Sequence, residues 1–155
     1  RHIVRVPTFE IMQTEATAVH AQLHARYPDA YGPLLRAYVE VGELIPGAAY
    51  IHAQRLRHRI RRELAGLLGG LDALLTPTAS NTAPDPSTTG DPSFQGVWTL
   101  VGFPSITVPS GLSHARLPFG IQLVAGPFAD ARLLAVARWC QDVLGPLPAP
   151  PLSSP

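Results

Sequence analysis

Two histidines in "HAQLH", His20 and His24, stand four residues apart. On a helix that spacing puts both imidazoles on one face, where they can hold a metal ion. A zinc site of the HExxH kind also needs a glutamate directly after the first histidine and a third ligand elsewhere. Neither is signalled, so the pair reads as a solvated helix face, and His52 and His58, set among arginines, read the same way. Ser110 and Ser113 in "PSGLS" could act as nucleophiles only with a base to take their protons. All 12 basic residues are arginine, so the chain offers no lysine amine, and no glycine-rich elbow surrounds either serine. Both read as turn formers that bond local backbone. Cys140, beside Trp139, reads as a small buried hydrophobe rather than a reactive thiol. The run Arg55, Arg57, Arg59, Arg61 and Arg62 reads as a solvated face rather than an anion site. No catalytic residue, no metal site and no cofactor are therefore expected.

The elements that must position any site follow from hydrophobic period and punctuation. Residues 2 to 6, "HIVRV", alternate as a short strand that Pro7 ends. Helical spacing then runs from about Phe9 to Arg26, stops in "YPDAYGP", resumes over 33 to 42, and resumes again over 47 to 68 until Gly69 and Gly70. "LDALLTPT", 71 to 78, reads as a strand, and 79 to 93 as a long loop rich in turn formers. A loop of that length inside a compact domain is a candidate rim of a site. In "FQGVWTLVGFPSITVPSG" the chain turns over Phe94 to Thr99 and again at Gly102. It then runs as a strand read as buried on both faces, stopping at Pro109. A second strand, "LPFGIQLVAG", precedes a closing amphipathic helix and a Pro-rich tail, 146 to 155, expected to be flexible. Helices followed by strands and a closing helix give an α/β fold, a mixed central sheet covered by helices.

Composition narrows the partners. At 155 residues and 46% hydrophobic, one domain would bury about 68–70% of its unfolded surface. A formal net charge of +1 with 15% charged residues leaves no field to hold a phosphate backbone or an anionic bilayer, so neither nucleic acid nor membrane is expected as partner. A single cysteine excludes an internal disulfide and fits the cytoplasm. With no apolar run of spanning length the chain reads as soluble. Its opening, "RHIVRVPTFE", reads as the interior of a longer polypeptide.

Four ordered motifs resemble the C-terminal part of the amidase signature family, serine amidohydrolases with a Ser-Ser-Lys triad. "LDALLTPTASNTAP" is similar to that family's aspartate strand and alanine-proline pair, through Asp72, Leu74, Leu75, Pro77, Thr78, Ala83 and Pro84. "WTLVGFPSITVPSG" supplies Gly102, Pro104, Val108, Pro109 and Gly111; "LPFGIQLVAGPFADARLL" supplies Pro118, Gly120, Gln122, Asp130 and Leu134; and "EVGELIPGAAYIHAQRLR" resembles the glycine-then-tyrosine helix upstream. The resemblance implies that residues 1–145 are the C-terminal, incomplete segment of an amidase domain. The two serines and the lysine then lie in a missing N-terminal portion of the same protein. It implies a small-molecule amide as substrate and leaves room for a homodimer. It also implies that Phe94, Gln95, Val97, Trp98 and Thr99 lie along the acyl pocket. Many members carry asparagine where this chain has Thr99, which leaves the substrate class open. Two alternatives stand beside this reading, a non-catalytic binding or assembly module and the glutamine-hydrolysing subunit of a transfer-RNA-linked amidotransferase. Alone, the chain is expected to be inactive.

Overall fold

A computed structural model describes residues 2–148, with the side chains of 2–6 left out; most of the Pro-rich tail lies outside the described residues. The chain divides into two compact units, 1–62 and 63–155.

The first unit is helical. It holds α1 (His2–Arg26), a short 3₁₀ turn at Pro28–Ala30, α2 (Pro33–Glu43) and most of α3 (Gly47–Leu68), whose last six residues belong to the second unit. The strand expected over 2 to 6 is instead the first turn and a half of α1, with Pro7 inside the helix. This unit contains no strand among its described residues, so a strand there would leave its ladder groups unpaired. The helix satisfies them locally and gives up the one bond that Pro7 cannot donate.

Two small residues let α2 lie against α1. Gly42 is buried in the last turn of α2, where a Cβ would come within 2.5 Å of the Gln13 carbonyl oxygen. Close by, the Thr17 hydroxyl donates to the Val39 carbonyl at 2.6 Å, and Val39 is fully buried. The two histidines belong to this packing, not to a solvated face. The Tyr31 ring meets both imidazoles edge-on at centroid distances of 5.6 and 5.1 Å. His20 Nδ1 lies 2.9 Å from the Tyr31 hydroxyl, and His24 Nε2 lies 3.6 Å from Glu40 Oε1. The tyrosine that reorganises this face comes from a turn seven residues beyond the second histidine, so periodicity alone does not bring it there. No group of three metal-ligating side chains forms among the described residues. On α3, Arg55, Arg59 and Arg62 are exposed while Arg57 and Arg61 are half-buried.

The second unit is a sheet with helices. β1 (Leu74–Pro77), β2 (Ser105–Leu112) and β3 (Pro118–Val124) form a three-stranded sheet in the order β1-β3-β2, with α4 (Gly96–Val101) before β2 and α5 (Asp130–Leu144) after β3. The α/β class stands, but both strand pairs are antiparallel, so no parallel pair enters the sheet among the described residues. β2 alternates between faces rather than being buried on both. Ile106 and Val108 turn inward while Ser105, Thr107 and Pro109 are exposed, which is the polar–apolar order of "SITVP" itself. Val108, Leu123 and Ala125 pack with Leu133, Ala137 and Cys140 of α5. Cys140 is buried as expected and Trp139 is 65% exposed.

Of the two serines, Ser113 is a turn former as expected, whereas Ser110 lies within β2. Ser113 closes the β2–β3 hairpin, its amide bonding the Leu117 carbonyl at 2.8 Å and its hydroxyl accepting the Leu117 amide at 3.1 Å. Ser110 sits at the bulge between Pro109 and Gly111. Gly42→Ala should destabilise the helical unit by about 1–3 kcal/mol through overpacking, read as a lowered urea midpoint with α-helical content retained at zero denaturant. An unchanged midpoint would rule out the close approach.

Candidate functional site

The register places two chemically different faces on β3. Leu123 pairs across with Ile106 and Leu75, and Ile121 with Val108 and Pro77, making the apolar face toward α5. On the other face Gln122 stands between Thr76 of β1 and Thr107 of β2. Beside them, Gly120 lets three strands approach, since a Cβ there would meet Thr107 Cγ2 at 2.6 Å and Thr78 Oγ1 at 2.9 Å. The Thr78 amide bonds the Gly120 carbonyl at 3.1 Å, and its hydroxyl reaches Thr107 Oγ1 at 3.3 Å.

The segment before β2 is held over this polar face. Gln122 Nε2 donates to the Phe94 carbonyl at 3.0 Å and to Thr76 Oγ1 at 3.2 Å. Gln95 Nε2 donates to the Thr78 carbonyl. Thus two glutamine amides fasten residues 94 and 95 to β1 and β3. What reads as a turn over Phe94 to Thr99 is the entry to α4. The Gln95 and Gly96 amides both bond the Pro92 carbonyl, and the helix ends at Gly102 in the left-handed region, φ 66°.

The five candidate pocket residues separate on this scaffold. Trp98 turns into the core at 7% exposure, with Leu100 and Val101 buried beside it on α4. Phe94, Gln95 and Val97 are half-buried, and Thr99 is exposed. Only Gln95 lines an open cleft of about 460 Å³, whose other walls are the two arms of the loop 79 to 93, including Asn81, Thr82, Thr89 and Asp91. The loop is real and is stitched by side-chain turns. Asp85 Oδ1 accepts the Ser87 amide at 2.9 Å, Asp91 Oδ1 accepts the Ser93 amide at 3.0 Å, and Asn81 Oδ1 accepts the Thr82 amide at 2.9 Å. The side-chain oxygen of Gln95, Oε1, is buried without a hydrogen-bond partner among the described residues. Gln122 enters the sequence reading only as a motif residue. Its role at the site depends on a contact 28 residues away along the chain, and its one sequence signal is an amide inside an otherwise apolar strand.

The Amidase family matches residues 8–134, and the chain belongs to that family. Among curated relatives, a glutamyl-tRNA(Gln) amidotransferase subunit of Anaeromyxobacter sp. (strain K) is 39% identical over 113 residues, a stretch that is 67% of this chain and 23% of that protein. The chain thus spans about a quarter of the length of the relatives it matches. Among solved structures, a crystal structure of an amidase covers 94% of the chain with a TM-score of 0.84 at 25% identity, the chain covering 36% of it. The corresponding glutamyl-tRNA(Gln) amidotransferase subunit of Thermotoga maritima covers 79% with a TM-score of 0.54 at 31% identity, the chain covering 27% of it.

The bonds to Ser87 hold the Asp85 carboxyl below its ordinary value of 3.8. A depressed acid contributes order that is present above its unfolded value and lost as pH falls through the folded one. The Ser87 amide resonance should therefore titrate below pH 3.8, and Asp85→Asn should abolish that titration. A midpoint at or above 3.8 would contradict the contact.

Proposed function

We propose that these residues supply scaffold and substrate-pocket wall to an enzyme that hydrolyses a carboxylic amide C–N bond, the catalytic serines and lysine lying outside the 155 residues. The observation that carries this reading is the overlay on an amidase across 94% of the chain. Amide hydrolysis by such an enzyme needs a serine nucleophile, a base for its proton and donors for the oxyanion. This chain has no lysine, and its two candidate serines serve a hairpin and a bulge. What it offers instead is a surface. Phe94, Gln95, Val97 and Thr99 flank the substrate's acyl group, Trp98 backs them from the core, and the loop 79 to 93 forms the rim.

The partners on this reading are a small-molecule amide and the remainder of the same polypeptide, which covers the apolar side chains left open on β1 and β3, Leu75 at 58% and Phe119 at 43% exposure. A homodimer and a cytoplasmic setting complete the proposal. No helix among the described residues is long and apolar enough to cross a membrane. One finding favours a second reading, a glutamine-hydrolysing component of an amidotransferase, namely the identity with relatives that carry the amidotransferase name.

The two are separated by assay. Expressed alone, the 155-residue chain should hydrolyse no aliphatic or aryl amide above background, because most of the roughly 10⁶-fold or greater acceleration of an enzyme has no source in it. The product of the complete reading frame should hydrolyse amides unaided, and Thr99→Trp should narrow its range to small acyl groups while leaving thermal stability within about 0.5 kcal/mol, as for other exposed positions. Activity that requires copurified proteins and is confined to glutamine would transfer support to the second reading. Turnover by the 155 residues alone would overturn both.

A further inference from the structure

Gln122 is the one buried polar side chain among the described residues, 3% exposed in a strand whose neighbours Leu123 and Val124 are apolar. A leucine or methionine would fill that position with no polar group to satisfy, so the amide calls for a reason. The reason lies in what its nitrogen reaches. The Phe94 carbonyl sits one residue before the N-cap of α4, and the helical amides bypass it: that of Gly96 bonds the Pro92 carbonyl, and those of Trp98 and Thr99 both bond the Gln95 carbonyl. The helix therefore supplies nothing to Phe94, and the Gln122 amide does, at 3.0 Å. The same nitrogen also holds Thr76 Oγ1 at 3.2 Å. One side chain on the central strand thus ties an edge strand and the start of α4 to a common point, while Gln95 makes the second tie, to the Thr78 carbonyl.

We propose that Gln122 is the positioning residue of the substrate pocket: it sets the height of Phe94 and α4 above the sheet, and through them the width of the acyl wall. It touches no substrate, and its effect on selectivity rests on the reading of 94 to 99 as pocket wall. The positional part stands on geometry alone and is read without substrate.

The experiment uses the 155-residue chain carrying Trp139→Phe, which leaves Trp98 as the only tryptophan. Gln122→Met keeps the shape and removes both donated bonds. Its Trp98 emission should shift to the red, and amide exchange over 92–101 should rise roughly tenfold, the factor that about 1.4 kcal/mol of lost hydrogen bonding gives, with β2 and β3 unchanged. Gln122→Glu keeps the shape too but can donate to the Phe94 carbonyl only when protonated. It should behave like the methionine variant at neutral pH and regain the parent emission as pH is lowered, which Gln122→Met should not. Unchanged emission and exchange in both variants would overturn the proposal. So would an equal loss of protection across β2, β3 and 92–101, the pattern of an ordinary core residue. In the complete reading-frame product, Gln122→Met should raise KM for the preferred amide by a factor at least about fivefold larger than the factor by which it lowers kcat. An active parent whose acyl range is untouched by Gln122→Met would overturn the selectivity part, whereas an inactive parent would count against the hydrolase reading and not against the tie.

Discussion

The second unit depends on a division of labour along one strand. β3 is central, so its side chains fill both faces of the sheet, and they differ in kind. Leu123 joins the apolar layer against α5, while Gln122 faces Thr76 and Thr107 and holds Phe94. A slip of one residue would exchange the two faces, driving an amide into the α5 core and a leucine under α4. The bulge at Pro109 and Gly111, the missing side chain at Gly120 and the fully buried Val124 all hold that register. α4 follows from it, because the segment that carries the candidate pocket has its first carbonyl fastened to this strand.

The first unit solves a separate problem by the same means, a close approach fixed by small residues. Gly42 and the Thr17 hydroxyl bring α1 and α2 together, and Tyr31 fills the space between His20 and His24. The histidine pair whose spacing most suggests a metal site is consumed by packing. In both units, a residue type that suggests chemistry at the level of sequence turns out to hold one element against another.

Much of the fold was legible from period and punctuation. α2, α3 and α5 fall where helical spacing and glycine stops place them, and the loop 79 to 93 is where turn formers accumulate. Three features depart from that reading. Residues 2 to 6 alternate like a strand but find no strand to pair with, so α1 takes them. The segment at 94 to 99 carries glycine and aromatics that read as a turn, yet the Pro92 carbonyl and the left-handed Gly102 bracket a helix. The one-sided burial of β2 was missed although the polar–apolar order of "SITVP" carries it as plain alternation. Of the candidate site, only the choice of 94 to 99 could be drawn from the sequence, as what the resemblance implies. The split between core-facing Trp98 and exposed Thr99 could not, because it depends on the phase of a six-residue helix. Gln122 was visible only as an amide in an apolar strand, since its partner is distant in sequence.

The central claim is that α4, held on the polar face of this sheet, lines the space where an acyl group binds. The most direct measurement is a crystal structure of the complete reading-frame product inactivated with a long-chain alkyl fluorophosphonate, locating the alkyl tail. The tail is expected in contact, within about 4.5 Å, with Phe94, Val97 or Thr99. A tail lying against α5, or anywhere that leaves α4 without contact, would contradict it.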